Sequence, residues 1–129
     1  MNNLCPFCKP NKIKPLLESN YFLIVGDLYP VSMGHLLIIT KRHVESFFIT
    51  TREEKIALFD GIEQAKELIE MELKPDGYNI GINDGETAGQ TIKHLHIHLI
   101  PRYKGDSPDP RGGIRWIFPD KAKYWEDNE

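Results

Sequence analysis

Three of the five histidines in this chain stand at alternate positions, His94, His96 and His98, within a short apolar stretch. An imidazole titrates near neutral pH, so such a row can supply a nucleophilic nitrogen, a proton or a metal ligand. Because successive side chains of a strand point to opposite faces, the spacing predicts a strand with all three imidazoles on one face. The residues between and after them would pack into a core on the other face and fix the register: Leu95, Ile97 and Leu99.

Two further interpretations of the histidine row are open from the residues alone. The row can be structural, with each half-buried ring finding a donor and an acceptor. Alternatively, two adjacent members can share a metal ion. All three cannot share one ion, because alternate positions over five strand residues span about 13 Å.

A polar, glycine-bearing segment comes before the row. It follows an apolar stretch, 77–82, that predicts a strand, and the Asp84-Gly85 pair signals a turn. The two strands would then be antiparallel neighbours, with the segment lying beside the histidines. Backbone amides at glycine and neutral donors suit phosphate oxygens, although a plain polar hairpin loop fits equally well. The residues in question are Asn83, Gly89, Gln90 and Thr91.

Length, charge and hydropathy restrict the class of protein. A chain of 129 residues is the size of one domain with a single core. Its net charge of −3 gives no basic surface for nucleic acid. The first residues lack the charged and apolar regions of a signal peptide, and no apolar run approaches membrane-spanning length. We therefore expect a cytoplasmic protein with no nucleic-acid or membrane partner.

The remaining elements predict an α+β fold. Apolar segments 21–25 and 35–40 favour strands, and Thr51 followed by Glu54 has the form of a capping box. That box opens a predicted helix that runs to about Leu73, with a broad apolar face suited to a sheet or to another subunit. The pattern predicts an antiparallel sheet of about five strands with one long and one short helix.

The segment 89–102 reads G-Q-T-I-K-H-L-H-I-H-L-I-P-R and resembles the signature of the histidine-triad (HIT) family of nucleotide hydrolases and transferases, G-Q-[ST]-x-x-H-φ-H-φ-H-φ-φ with φ apolar. The segment 34–39 is similar to the family's G-H-φ-L-φ-φ strand, and Asp27 precedes His35 by eight residues. The resemblance implies one HIT-like domain over 1–129, with a core at about 4–104 and a C-terminal extension at 105–129. It also implies a two-fold homodimer whose sheets are continuous.

Cys5 and Cys8 form a C-x-x-C pair, which can supply two thiolates to a tetrahedral zinc ion or remain as free thiols. Family members that carry this pair complete the site with two histidines. The resemblance places these at His43 and His94 in this chain. It thus implies a structural zinc held by Cys5, Cys8, His43 and His94, with no catalytic metal required.

His96, at the centre of the row, is the candidate nucleophile. It would attack the α-phosphorus of a purine nucleotide conjugate and form a nucleotidyl-histidine that water then hydrolyses. The resemblance implies that its tautomer is set by the carbonyl of residue 94. The phosphoryl oxygens would be held by the remaining members of the predicted site: His98, His35, Gln90 and Thr91.

Substrate binding is assigned by the resemblance. Asp27 would receive the ribose hydroxyls, and Phe7, Val25 and Leu28 would surround the purine, although core packing explains these three apolar residues nearly as well. The full predicted substrate-binding set is Asp27, Asn83, Gly89, Gln90, Thr91, Phe7, Val25 and Leu28.

The sequence leaves more than one leaving group and three classes of function open. Asn83 is similar to the nucleoside phosphoramidate hydrolases, whereas 86–91 and 101–106 resemble the dinucleoside polyphosphate hydrolases. A nucleotidyltransferase is the second candidate, but that branch usually carries glutamine where this chain has His98. The third is a nucleotide-binding regulatory protein with vestigial activity.

Overall fold

The computed structural model describes residues 5–9 and 13–128. Its strands are β1 (Leu17–Glu18), β2 (Phe22–Gly26), β3 (Leu36–Thr40), β4 (Gly77–Gly81) and β5 (His96–Arg102). Its α-helices are α1 (Arg52–Glu70) and α2 (Pro119–Ala122), and short 3-10 segments lie at Pro6–Cys8, Phe47–Ile49, Glu86–Ala88, Gly113–Ile117 and Tyr124–Asn128. The predicted α+β fold with one long and one short helix is confirmed. Positions 4 and 10–12 of the predicted core and position 129 of the predicted extension lie outside the described residues.

All strand pairs are antiparallel, in the order β1-β2-β3-β5-β4. In the register between β3 and β5, Leu37 lies opposite His98 and Ile39 lies opposite His96. Residues that oppose each other in an antiparallel pair share a face, so both imidazoles lie on one face of the sheet. Ile97 is buried on the other face, as the alternation predicted.

Helix α1 covers the core face of the sheet, and its buried side includes Leu58, Ala65 and Ile69. Gly61 is the point of closest approach, because a β-carbon there would lie only 3.0 Å from Ile38 Cγ2. The broad apolar face predicted from sequence is therefore divided. One stripe packs on the sheet, while other apolar residues of the helix, such as Phe59, remain exposed.

The capping box at the start of α1 is present: the Thr51 hydroxyl accepts from the Glu54 N–H, and the Glu54 carboxylate accepts from the Thr51 N–H. Arg42, just after β3, adds two hydrogen bonds to the same carboxylate, at 3.0 and 2.7 Å. The helix ends at Glu70, three residues earlier than predicted. The chain makes one more turn, with the Leu73 N–H bonded to the Ile69 carbonyl, before Pro75.

Strand β5 begins at His96, two residues later than predicted. The chain bends at His94, and the Leu95 N–H bonds to the Val44 carbonyl instead of to a residue of β3. His94 thereby carries its ring into the interior, where it is fully buried. His94, the first histidine of the row, is therefore a buried residue that comes just before the strand.

The C-terminal part, residues 105–128, includes the short helix α2 and contains several exposed apolar side chains. Within the described ranges, no helix has the length and apolar character needed to cross a bilayer.

We expect Glu54→Gln to lower the free energy of unfolding by about 1–2 kcal/mol at pH 7, because a buried carboxylate that accepts from a guanidinium and from a backbone amide becomes neutral. The hydrogen bonds from Arg42 are the main cause that lowers the pKa of Glu54 from 4.5. A carboxyl with a lowered folded-state pKa stabilises the protein above its unfolded pKa, and this contribution disappears as the pH falls through the folded value. The difference between the two proteins should therefore shrink below about pH 4.5.

Urea unfolding from pH 7 to pH 3 measures this difference. Lys66→Met is the matched control, because it removes an exposed pair with Glu70 on the same helix and should cost less than about 0.5 kcal/mol. An equal loss in both variants would contradict the assignment.

Candidate active site

The tautomer of His96 is set by its own chain. Its Nδ1 lies 2.8 Å from the backbone carbonyl oxygen of His94. A carbonyl oxygen only accepts, so Nδ1 carries the proton and donates. Nε2 of the neutral ring therefore holds a lone pair, which is the form a nucleophile requires. The ring is half-buried, with the edge of Phe7 at 5.2 Å between ring centroids.

The tautomer of His35 is set by the backbone amide of Val31, which donates to His35 Nδ1 at 3.2 Å. The proton of the neutral His35 ring is therefore on Nε2, which lies 3.0 Å from Nδ1 of His98. His98 Nδ1 accepts this proton, so neutral His98 carries its own proton on Nε2. Both nitrogens of His35 are engaged within the protein and the residue is 4% exposed, so the ring acts on His98 and does not present a free nitrogen to a phosphoryl group.

Both of these rings are neutral at neutral pH. Burial is the main cause that lowers the pKa of His35, and the carboxylate of Asp27 opposes it. Burial likewise lowers the pKa of His98, helped by His96 and His35 and again opposed by Asp27. Neutral rings keep the tautomers described above, each with one donor and one acceptor.

Asp27, which follows β2, is mostly buried in the same cluster. One carboxylate oxygen accepts the Tyr29 N–H at 2.8 Å, as in an Asx turn. The other lies 3.4 Å from His35 Nε2 and 3.8 Å from His98 Nδ1. The predicted ribose-binding residue thus contacts two histidines of the predicted site.

Two side chains, Gln90 and Asp84, hold the connection between β4 and β5 in place, although the sequence predicted other roles for them. The Gln90 carboxamide accepts from the Gly85 N–H and donates to the carbonyls of Glu45 and Ile92. Its two N–H groups are therefore used to shape the loop. Asp84, which was predicted only as a turn residue, accepts from both the Ser46 hydroxyl and the Phe47 N–H.

The other predicted phosphate contacts lie on the surface of this connection. Asn83, Gly89 and Thr91 are exposed, and Gly89 has a φ of +93°, a conformation that favours glycine. They are open to a ligand.

Of the three residues predicted to surround the base, Val25 is buried beside Leu37, and Phe7 packs against their cluster. Leu28 is 85% exposed in the loop after β2. Phe7 therefore joins the apolar part of this face to the imidazole of His96, whereas Leu28 belongs to neither apolar cluster of the described residues.

Cys5, Cys8, His43 and His94 come together as predicted, with their four ligand atoms within 4.8 Å of one another. His94 Nδ1 lies 3.4 Å from Cys5 Sγ, 3.5 Å from Cys8 Sγ and 3.2 Å from His43 Nδ1. These separations are those of a tetrahedral set around zinc, whose bonds to sulfur and nitrogen are about 2.3 and 2.1 Å. The residues present therefore fit a zinc ion.

The ring of His94 is oriented for this role by a residue that sequence reasoning missed. Its Nε2 donates to the carbonyl oxygen of Thr40 at 2.7 Å, which leaves the lone pair on Nδ1, facing the cysteines. Burial also lowers the pKa of His94, which keeps the ring neutral. Val31 acts through its N–H and Thr40 through its carbonyl, groups that residue type does not reveal. The Thr40 hydroxyl also lies 3.2 Å from the same His94 nitrogen.

Comparison with known proteins agrees with this geometry. Residues 10–105 match the model of the HIT domain family. An uncharacterized HIT-like protein of Methanocaldococcus jannaschii is 37% identical over 109 residues, which cover 80% of this chain and 82% of that protein. The bis(5'-nucleosyl)-tetraphosphatase [asymmetrical] of Schizosaccharomyces pombe is 40% identical over 80 residues, 62% of this chain and 44% of that longer protein.

The fold is similar to that of a crystal structure of a zinc-bound histidine triad family protein from Mycobacterium smegmatis, with a TM-score of 0.72, 28% identity and 98% of each chain covered. The family match spans most of the chain, and the histidine strand, the sheet order and the Cys/His cluster are all in place. The chain belongs to the HIT domain family.

Proposed function

We propose that this protein hydrolyses purine nucleotide conjugates at the α-phosphate through a covalent nucleotidyl-histidine at His96. The observation that carries the proposal is the hydrogen bond from His96 Nδ1 to the His94 carbonyl, which leaves Nε2 as an unprotonated nucleophile. The similarity to a tetraphosphatase that acts on a dinucleoside polyphosphate supports a nucleotide substrate.

In the first step, His96 Nε2 forms a bond to the α-phosphorus while the bond to the leaving group breaks, and the leaving group takes the electron pair. The ring becomes cationic as it is phosphorylated, and the His94 carbonyl stabilises the Nδ1–H. In the second step, water loses a proton as it attacks the same phosphorus, and the N–P bond breaks with its electron pair returning to Nε2, which restores neutral His96. No metal takes part in either step.

Charge on the phosphoryl oxygens would be stabilised by neutral donors around the row. The Nε2–H of His98 is one, because His35 holds the other nitrogen of that ring as an acceptor. The exposed hydroxyl of Thr91 and the backbone at Gly89 supply others. Gln90 contributes through the shape of the loop that its carboxamide holds.

Asp27 would accept hydrogen bonds from the ribose, and Phe7 and Leu28 would contact the purine, with Val25 beneath Phe7. Asn83, at the rim of the site, would lie near the leaving group. Both an amine and a nucleoside polyphosphate fit the sequence features, so the proposed substrate class is a purine nucleotide whose α-phosphate carries either one. His98 in the third position favours the hydrolase over a transferase.

A structural zinc ion would be held by Cys5, Cys8, His43 and His94. It would tie the N-terminal segment to the residues that follow β3 and precede β5. We propose a reducing compartment, the cytoplasm, where both cysteines stay available as thiolates; the two form no disulfide among the described residues.

We also propose a homodimer, formed by α1 and the edge strand β4. Ile56 and Phe59 of α1 are 53% and 60% exposed, and Ile80 of β4 is 52% exposed. Strand β4 also has one edge without a strand partner among the described residues, so pairing two copies there would continue the sheet.

His96→Gly should lower kcat by about 10³-fold or more, because the attacking atom is removed. His98→Ala should lower kcat by about 10²–10³-fold and still form the covalent intermediate on His96. Rapid quench with a labelled adenosine phosphoramidate, followed by mass mapping of the labelled peptide, measures both. Label on a cysteine or on His35, or near-normal turnover of His96→Gly, would contradict this mechanism.

Reduced protein purified without chelator should contain about one zinc per chain, as measured by atomic emission. Cys5→Ser should lose the metal and lower the thermal stability much more than it lowers kcat of the folded fraction, because the ion holds the N-terminal segment. Thr91→Ala, outside the cluster, serves as the control and should keep its zinc. Wild-type protein free of zinc under these conditions would refute the site.

Light scattering at micromolar concentration should give the mass of a dimer. Phe59→Glu should convert it to a monomer, because a charge would be buried in the apolar contact. Leu16→Glu is the matched control, since it adds the same charge to an exposed residue beside β1 at the opposite edge of the sheet. A wild-type monomer would exclude the proposed assembly.

A further inference from the structure

One oxygen of the Asp27 carboxylate faces His98, which lies next to the nucleophile, and His35, which contacts His98. It lies 3.4 Å from His35 Nε2 and 3.8 Å from His98 Nδ1, and the side chain is only 16% exposed. Binding a ribose does not require a carboxylate to contact imidazoles. The arrangement therefore points to a second role for Asp27 within the histidine cluster.

The same three atoms lie within 4.8 Å of one another, as the ligands of a metal ion would. A metal ion requires a lone pair on His35 Nε2. The Val31 N–H, however, donates to His35 Nδ1, so Nε2 carries the proton of the neutral ring. The cluster therefore holds a proton on His35 Nε2, and a metal ion could bind that nitrogen only by displacing this proton.

Among the described residues, Asp27 is the one anionic group that faces His98. His96 lies beside it on β5 with ring centroids 5.2 Å apart, and His35 lies across on the neighbouring chain segment. On the other side, β4 presents Gly81, which has no side chain. Burial and the two imidazoles lower the pKa of His98, whereas Asp27 raises it.

We propose that Asp27 is the counter-ion of a protonated His98 during turnover, and that it thereby enables His98 to give a proton to the leaving group. This inference rests on the function proposed above. Asp27 is a positioning residue in this role, because it acts through His98.

The proton balance runs through both steps. When the anionic conjugate binds, His98 takes a proton from solvent at Nδ1. The Nε2–H of His35, which donates to that nitrogen in the resting protein, then turns to the Asp27 carboxylate 3.4 Å away, so that both N–H groups face Asp27 while His98 Nε2–H faces the substrate. As His96 forms its bond to phosphorus, the P–N bond breaks, and the amine nitrogen keeps the electron pair and takes the Nε2 proton. His98 is then neutral with its proton on Nδ1. Its Nε2 accepts a proton from the attacking water in the second step, which restores the imidazolium.

The test compares two leaving groups on the same nucleoside. An adenosine 5'-(N-butyl)phosphoramidate must protonate its amine to leave, whereas 4-nitrophenolate leaves adenosine 5'-(4-nitrophenyl) phosphate without a proton. Asp27→Asn should lower kcat/KM for the amidate about 10–100-fold more than for the nitrophenyl ester, since loss of general acid catalysis affects only the first. Ribose binding is common to both substrates and cancels in the ratio.

Two control variants separate the roles. Leu28→Ala should lower kcat/KM equally for both substrates, because it would affect only the nucleoside. Asp27→Glu keeps the charge and should bring the ratio back to within about threefold of wild type, even where KM is raised. Equal losses for both substrates in Asp27→Asn would overturn the inference and leave the proposed function intact. If the wild-type protein hydrolyses neither substrate, the proposed function fails.

A measurement without substrate decides the inference independently. In a pH titration followed by ¹⁵N NMR of the histidine rings, the pKa of His98 should be lower in Asp27→Asn than in wild type. An unchanged value would overturn the inference. So would equilibrium dialysis that finds a second zinc per chain which Asp27→Asn loses, because the cluster would then bind a cation.

Discussion

Thr40 holds the ring of His94 in place, with its carbonyl and hydroxyl oxygens 2.7 and 3.2 Å from Nε2. The Nε2–H donates to the Thr40 carbonyl, which turns Nδ1 towards the two cysteines and His43. The backbone carbonyl of His94 accepts from His96 and fixes the tautomer of that ring. The metal-type cluster and the candidate nucleophile are therefore positioned by one fully buried residue.

The sheet separates these polar groups from the core. Ile97 and Leu99 pack beneath α1, while His96 and His98 lie on the opposite face beside Ile39 and Leu37. The apolar side chains give the strand its stability and the histidines gain fixed positions from it. Burial on this second face also lowers the pKa values of His35 and His98, which favours their neutral forms with one donor and one acceptor each.

Much of this arrangement could be predicted from sequence, because it depends on patterns that local chemistry enforces. Alternation placed His96 and His98 on one face, the Thr51 and Glu54 pair marked the start of α1, and the four ligands of the Cys/His cluster followed from the family motif. The fold class and strand number were also correct.

The rest depends on contacts between distant segments. The bend at His94 arises from a bond between Leu95 and the Val44 carbonyl, and the orientation of His35 arises from the Val31 amide. Contacts made by backbone groups do not depend on residue type, so the sequence does not predict them. Gln90 shows the same limit: its residue type suggested a phosphate donor, but three backbone partners use its carboxamide.

The two-residue period of β5 restricts which insertions and deletions the gene can tolerate. Removal of Ile97 would make His96 and His98 adjacent, which would turn one imidazole into the core and bring a leucine out onto the opposite face. The segment 105–118, which lies after the sheet and is largely exposed, has no such parity. Changes in length among descendants of this chain should therefore accumulate in that segment, while β5 keeps a constant number of codons.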